Sequence, residues 1–283
     1  MMMNSRMIVA ILVLLGLAAC TTIERAALPP PVVRDMEWQA FQAGSTMRVD
    51  HRPWTRFLAD YRIVDEDGVA LIRYGEVSAT DHAALKAYLD DLSLTDIAAL
   101  DRPEQLAFWI NLYNAKTVDL VLDAYPTRSI RAVRGGVLGT GPWGDKVLVV
   151  DEKPLSLNDV EHAIVRPIFR DPRVHYAFNC AALSCPNIAS VAYTGANLER
   201  LFEAGARAYV NDPRGFSVDG ERLTASKIYI WFQEDFGEGA GDVLAHALTY
   251  AEPALAERLR ARSTIDAYAY DWGLNDATAS SGP

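Results

Sequence analysis

The sequence predicts an α+β fold: a single helix-rich domain with a small, mostly antiparallel sheet around a buried central helix. Three observations carry that expectation. The segment from Gln105 to about Tyr125 is apolar on nearly every side between Leu106 and Ala115, as a helix at the centre of a core must be. Helix-start signals recur along the chain, at Ser93-Leu-Thr-Asp96, Asp101-Arg-Pro-Glu104 and Ser156-Leu-Asn-Asp159. Strand-like runs are short and scattered, which suits a small sheet.

In chain order, Trp54 to Arg62 is short and amphipathic, and Val69 to Tyr74 reads as a strand. Asp81 to Leu92 is a helix with Ala84, Leu85, Tyr88 and Leu89 as its apolar stripe. The central helix follows, with Asp101 able to cap it, Pro103 in its first turn and Glu104 at the positive end of its dipole. Asn111 and Asn114, three residues apart, share one face of it. A buried amide left unpaired costs about 1–3 kcal/mol, so both need partners, either loops tied to the helix or a reacting group in a site. Val147 to Val150 reads as a strand. Ser156 opens a helix that Pro167 is expected to end, with Leu157, Val160, Ile164 and Ile168 inward. Glu161 falls within that stripe, whereas His162 lies on the other side with Asn158, Asp159 and Arg166. Asn197 to Val210 is amphipathic, Gly215 to Thr224 resembles a hairpin turned at Asp219-Gly220, and Ser226 caps an aromatic-striped segment to Phe236. Gly241 to Arg262 gives one or two helices broken at Pro253, and Ala267 to Trp272 a last strand.

The ends of the chain stand apart from this domain. Met1 to Ala19 has Arg6 in a positive leader and an apolar run, Met7 to Leu17, too brief to span a membrane comfortably. Leu17-Ala18-Ala19-Cys20 resembles a bacterial lipobox, which implies cleavage before Cys20 and acyl chains on that cysteine; Thr21 after it favours the outer membrane by resemblance to lipoprotein sorting patterns. Several acyl chains anchor stably at about 0.8 kcal/mol per buried methylene. The expected organisation is a signal peptide at 1–19, a lipidated N-terminus and extended linker at 20–45 including Ala27-Leu-Pro-Pro-Pro-Val-Val, a globular domain at 46–276, and a loose tail at 277–283.

Half the residues are apolar, enough for a substantial core. The net charge of -10 argues against nucleic acid and against electrostatic docking on anionic lipid, so the membrane partner acts through Cys20 alone. Glycines 135 to 144 lack the lysine and hydroxyl of a phosphate loop and read as an irregular loop around Trp143. With Cys20 lipidated, the remaining thiols are Cys180 and Cys185. In an oxidising compartment such a pair is by base rate a disulfide, and the sequence leaves open whether the two are bonded or free.

The stretch Arg173-Val-His-Tyr-Ala-Phe-Asn-Cys-Ala-Ala-Leu-Ser-Cys-Pro186 concentrates two thiols, an imidazole, an amide and a guanidinium. Read as a strand, it places Val174, Tyr176, Phe178 and Cys180 on one face, and His175, Ala177 and Asn179 on the other. Glu161 on a buried stripe must be paired or raised in pKa. It either forms an ion pair with Arg173 or orients His175.

Phe108-Trp-Ile-Asn-Leu-Tyr-Asn-Ala115, Leu155-Ser-Leu-Asn-Asp-Val-Glu-His162 and the 173–186 stretch resemble the "domain of unknown function 547" family, as do Ser226 to Phe236 and Tyr270-Asp-Trp-Gly-Leu-Asn275. The resemblance runs in order from about Phe57 to Asn275. It implies no activity, because the family is named for having none established. It places Asn111, Asn114, Glu161, His162, Arg173, His175, Cys180, Ser184 and Cys185 in signature blocks. The family includes eukaryotic proteins not obviously secreted that carry both cysteines, which weakens a purely structural disulfide.

Two functions remain open. In a cysteine-dependent hydrolase or transferase of acyl or amide bonds, Cys185 or Cys180 is the nucleophile and His175 the base. Glu161 or Asn179 then orients the imidazole, and Asn111 or Asn114 donates to an oxyanion; His162, Arg173 and Ser184 line the site. His175 and Asn179 on one strand face would stand about 13 Å apart, too far to touch. In a non-catalytic envelope lipoprotein, Cys180–Cys185 is a structural disulfide, and a protein, polymer or small ligand is bound with Trp143 and Trp54 contributing. A metal site of Cys180, Cys185, His175 and His162 falls short of a full tetrahedral set, so no metal or cofactor is assigned.

Overall fold

The computed structural model describes residues 24–25, 28–134 and 141–277. The segment 1–19 expected to be a signal peptide, Cys20, residues 135–140 of the glycine-rich stretch and residues 278–283 of the expected tail lie outside them. The architecture is α+β and helix-rich, with small sheets of two or three strands. The described residues divide into two compact units, a larger one within Pro31–Val210 that also takes in the chain from Asp271 to Ala277, and a smaller one built on Asn211–Tyr270. Among the described residues no helix is long and apolar enough to cross a membrane.

The larger unit is built on its central helix. Helix α1 (Arg52–Tyr61) leads into a hairpin of β1 (Arg62–Val64) and β2 (Ala70–Ile72). Helix α2 (Ala79–Ser93) is capped by the Ser78 hydroxyl and buries Leu85, Tyr88, Leu89 and Leu92; Ala84, assigned to the stripe, is exposed. Helix α3 (Arg102–Ala124) starts as its sequence dictates, with the Asp101 carboxylate accepting the Glu104 N–H at 3.0 Å and Pro103 in the first turn. From Glu104 to Ala115 every residue of α3 is buried. Trp109 meets Trp38 edge to face at 5.3 Å, and Tyr113 packs on Phe178 at 4.5 Å.

A second hairpin, β3 (Leu148–Val150) with β4 (Lys153–Leu155), precedes the predicted Ser156 box. That box closes both ways: Asp159 N–H donates to Ser156 Oγ at 3.1 Å, and Ser156 N–H to Asp159 Oδ2 at 2.7 Å. The helix it opens differs from the expected one. Asp159–Val165 is a π-helix, and it continues into a short α4 (Arg166–Phe169) with Pro167 in its first turn, so the proline does not end it. Proline has no N–H to give to the carbonyl four residues back, and the wider turn just before it relieves that requirement. Every residue of the π-helix is buried, His162 as well as Glu161, so the two-sided partition expected from a 3.6-residue period does not hold.

The segment read as a strand from Arg173 is also different. Pro172–Tyr176 is a 3₁₀ helix, followed by irregular chain. Asp171 accepts the Arg173 N–H at 2.9 Å and Pro172 fixes the first φ, a local helix start that outweighs the apolar alternation. His175 and Asn179 therefore do not share a strand face. Helix α5 (Leu198–Val210) is amphipathic as predicted and buries Leu198, Leu201, Phe202 and Ala206. Residues after Asp271 run extended: Leu274 bridges Ala182 antiparallel, and Asp276 bridges Ile72 in parallel.

In the smaller unit, β5 (Phe216–Asp219) and β6 (Arg222–Ser226) form the hairpin predicted at Asp219-Gly220, where Gly220 takes φ +53°. Two short helices, α6 (Ile228–Trp231) and α7 (Gln233–Phe236), carry the aromatic stripe inward. Helices α8 (Ala240–Tyr250) and α9 (Pro253–Arg260) follow, parted at Pro253 as expected. The last strand, β7 (Ala267–Ala269), is shorter than predicted and pairs in parallel with β6.

Candidate functional site

The candidate residues fall into three groups inside the larger unit. The first is the cysteine loop. Cys180 and Cys185 are joined by a disulfide with Cα atoms 6.2 Å apart. Cys185 is buried, Cys180 is partly exposed, and the Cys180 N–H donates to Cys185 Sγ at 2.9 Å. Ala181 between them sits at φ +60°.

Asn179 ties this loop at both ends. Its side-chain amide donates to the Pro186 carbonyl at 2.9 Å, and its Oδ1 accepts the Ala181 N–H at 3.0 Å. Its backbone N–H donates to Asn114 Oδ1 at 2.8 Å, while Asn114 Nδ2 donates to the Ala177 carbonyl at 2.9 Å. One turn earlier, Asn111 repeats the arrangement with Tyr193: it donates to the Tyr193 carbonyl at 2.7 Å and accepts its N–H at 2.9 Å. Both α3 amides thus bind backbone with oxygen and nitrogen alike, and neither is arranged as an oxyanion donor.

The segment after Asp271 closes the other side. Ser184 Oγ accepts the Asp271 N–H at 2.7 Å, its N–H reaches the Asp271 carbonyl at 3.2 Å, and its own carbonyl accepts from the Tyr209 hydroxyl at 2.7 Å. Asn275 N–H donates to the Ala181 carbonyl at 3.1 Å, and Asn275 Oδ1 accepts from the Tyr74 hydroxyl at 2.9 Å. Asn275 and Tyr74 were not foreseen as part of the site; the one sequence signal was Asn275 at the end of the Tyr270-Asp-Trp-Gly-Leu-Asn275 block.

The second group is the buried carboxylate–imidazole pair. Glu161 Oε1 lies 3.9 Å from His175 Nδ1, both side chains nearly solvent-free. His162 is buried beside them in sequence and has its Nδ1 3.0 Å from Arg166 Nη1. Arg173 is not Glu161's partner. It holds Asp171 at 2.6 Å, Glu199 at 2.8 Å and Glu203 at 3.5 Å, and its guanidinium stands over the Phe202 ring. The hydrogen bonds it donates to Asp171 lead the forces that raise its pKa above the usual arginine value, against the opposing effect of burial. Of the two partners open to Glu161, the structure places His175 beside it and not Arg173, because the 3₁₀ turn directs residues 173 and 175 differently from a strand.

The third group concerns the tryptophans. Trp54 is fully buried against Phe57, at 5.4 Å, and cannot form a binding surface. Trp143 is half-buried and meets Trp272 edge to face at 5.6 Å, with Arg131 5.3 Å from the centre of the Trp272 ring.

Elsewhere, among the described residues, His82, Asp119 and Asp123 bring ligand-type atoms together on α2 and α3. Lys86 Nζ already sits 2.7 Å from Asp119 and 2.9 Å from Asp123, and Lys116 holds Asp119 at 2.8 Å. Ammonium groups thus stand where a cation would. Burial alone would raise the Asp119 pKa, but the lysine and histidine hydrogen bonds outweigh it and hold it below the usual carboxylate value.

A helix-rich α+β unit with a disulfide-closed loop roped to its central helix is the class of structure this chain presents. Residues 97–210, which span α3, the π-helix, the cysteine loop and α5, match the family described as "Protein of unknown function, DUF547", and the chain resembles that family there. No curated protein and no solved structure matches the chain.

Proposed function

We propose that the protein is a lipid-anchored component of a bacterial cell envelope, held through Cys20 at the outer membrane facing the periplasm, and that it acts there by binding rather than by catalysis. The anchor rests on the sequence around Cys20. The observation that carries binding over catalysis is the Cys180–Cys185 disulfide, because in the bonded state neither sulfur is a nucleophile. Its support is that Asn111, Asn114 and Asn179 spend their amides on backbone groups. The half-buried Trp143–Trp272 pair with Arg131 is the contact surface, and it suits an envelope polymer that carries acidic groups. Two measurements test this. Cys20→Ala should move the protein from the membrane to the soluble fraction, and Trp272→Ala should reduce co-sedimentation with purified cell-wall polymer. Retention of Cys20→Ala in membranes sinks the anchor, and unchanged sedimentation sinks the surface.

A second reading is cysteine-dependent acyl or amide transfer by the reduced loop, with Cys185 or Cys180 as nucleophile and His175 as base. The Glu161–His175 contact favours it, since a carboxylate 3.9 Å from an imidazole is placed to orient it as a base. Under this reading Cys185→Ala and His175→Ala abolish hydrolysis of a thioester or amide probe by the reduced protein while the far-UV spectrum is retained. Equal turnover by both variants dismisses it.

A further inference from the structure

We infer that Cys180–Cys185 is an exchangeable disulfide, a site of reaction with dithiols in which Cys180 is the sulfur attacked and Cys185 the sulfur that leaves. This goes beyond both functions above and stands on the loop alone.

The loop does not need the S–S bond to stay closed. Asn179 Nδ2 to the Pro186 carbonyl spans the same chain ends at 2.9 Å, Asn114 anchors Asn179 to α3, and the Ala182–Leu274 bridge holds the middle. Those bonds are buried and involve no sulfur. A disulfide whose loop is already clamped can open with the fold in place.

The two sulfurs are also unequal. Cys180 is partly exposed as a residue and is the more open of the two to an incoming thiolate, whereas Cys185 is buried. The Cys180 N–H already points at Cys185 Sγ, 2.9 Å away. When Cys185 departs as a thiolate, that contact becomes a charge-assisted hydrogen bond, which favours Cys185 as the leaving group.

The chemistry balances with a dithiol as reductant. Its thiolate attacks Cys180 Sγ, a bond forms between the two sulfurs, and the Cys180–Cys185 bond breaks with its electron pair going to Cys185. The second thiolate of the reductant then attacks its own sulfur in the mixed disulfide and expels Cys180 as thiolate. The reductant leaves as a disulfide, and two electrons and two protons have passed to the protein, as Cys180 and Cys185 thiols.

The test uses the full chain, native and unlabelled. Dithiothreitol should reduce the pair at least tenfold faster than it reduces a fully buried disulfide in a reference protein, with the near-UV spectrum unchanged. In glutathione, mass spectrometry should find the adduct on Cys180 at least tenfold more often than on Cys185. Asn179→Ala should lose this native-state behaviour, so that its reduction coincides with unfolding. Reduction of the parent protein that proceeds only in denaturant, or an adduct shared equally or carried by Cys185, overturns the proposal. Exchange without hydrolysis of a thioester probe would leave the exchange site standing and dismiss the transfer reading, so the two fail separately.

Discussion

Asn114 and Asn179 form a chain of buried amides that ropes the cysteine loop to the central helix. Asn114 holds the backbone on both sides of Phe178, at Ala177 O and Asn179 N, and Asn179 passes the tie on to Pro186 and Ala181. What happens when one of them is cut is the most direct measure of how the loop is held.

Asn114→Leu should destabilise the protein strongly. It leaves the Ala177 carbonyl and the Asn179 N–H without partners in a buried setting, at about 1–3 kcal/mol for each group. A loss on the order of 2–5 kcal/mol is expected in urea unfolding, with the cysteine loop the first region to gain hydrogen exchange. A loss below half a kcal/mol would mean that the loop is held by something else.

Glu104 joins the start of α3 to two distant segments, accepting from Val49 N–H at 3.0 Å and Gly195 N–H at 2.8 Å while fully buried. Gly195 permits the approach, since a Cβ there would lie 3.0 Å from Glu104 Oε2 and 3.2 Å from its backbone nitrogen. Glu104→Gln turns one acceptor into a donor that faces an N–H, and should cost roughly 1–3 kcal/mol. Gly195→Ala should cost a comparable amount by displacing the carboxylate, and the double variant should fall short of the sum, because both disturb one contact.

His51 makes stability depend on pH. Burial pushes its pKa down from 6.5 to about 4, opposed by the charge of Asp50, and its Nδ1 lies 2.6 Å from the Tyr88 hydroxyl. A folded-state value below the unfolded one means that the unfolded chain binds the proton more readily between those limits. The contribution is complete above about pH 6.5 and is lost as pH falls towards 4. At about 1.4 kcal/mol per unit, moving from pH 7 to pH 5 should remove roughly 2 kcal/mol. His51→Gln should flatten that part of the profile, and an unchanged slope in the variant would assign the pH dependence to other groups.

The disulfide should contribute modestly to stability. Closing a loop of about six residues is worth about 2 kcal/mol on the chain-entropy argument. Cys180→Ser/Cys185→Ser should therefore unfold at lower urea yet remain folded in buffer, which the buried Asn179 clamp requires. Failure of the double variant to fold at all would show that the disulfide carries more of the loop than its hydrogen bonds.

Much of the scaffold is legible in sequence because its causes are local. Asp101, Pro103 and Glu104 announce the start of α3, Ser156 and Asp159 form their reciprocal box, and Gly220 marks its hairpin, all through contacts within a few residues. The all-round apolar character of 105–115 likewise dictates a buried helix whatever surrounds it. Local signals also explain why residues 173–178 are not a strand. Val174, Tyr176 and Phe178 alternate like a strand, but Asp171 and Pro172 start a 3₁₀ turn, and a preference set by side-chain alternation yields to backbone groups already satisfied.

What the sequence determined, then, was the central helix, its caps, the pairing potential of Cys180 and Cys185, and which residue types gather around them. Only the tertiary structure decided that Glu161 faces His175 while Arg173 turns to Asp171, Glu199 and Glu203, that Asn111 and Asn114 serve Tyr193 and Asn179, and that Asn275 lies between Tyr74 and Ala181. The reason is range. A cap or a turn is fixed by neighbours along the chain, whereas a buried polar group takes whichever partner the packing of distant segments delivers, and the cost of leaving it unpaired makes that choice binding once the core has closed.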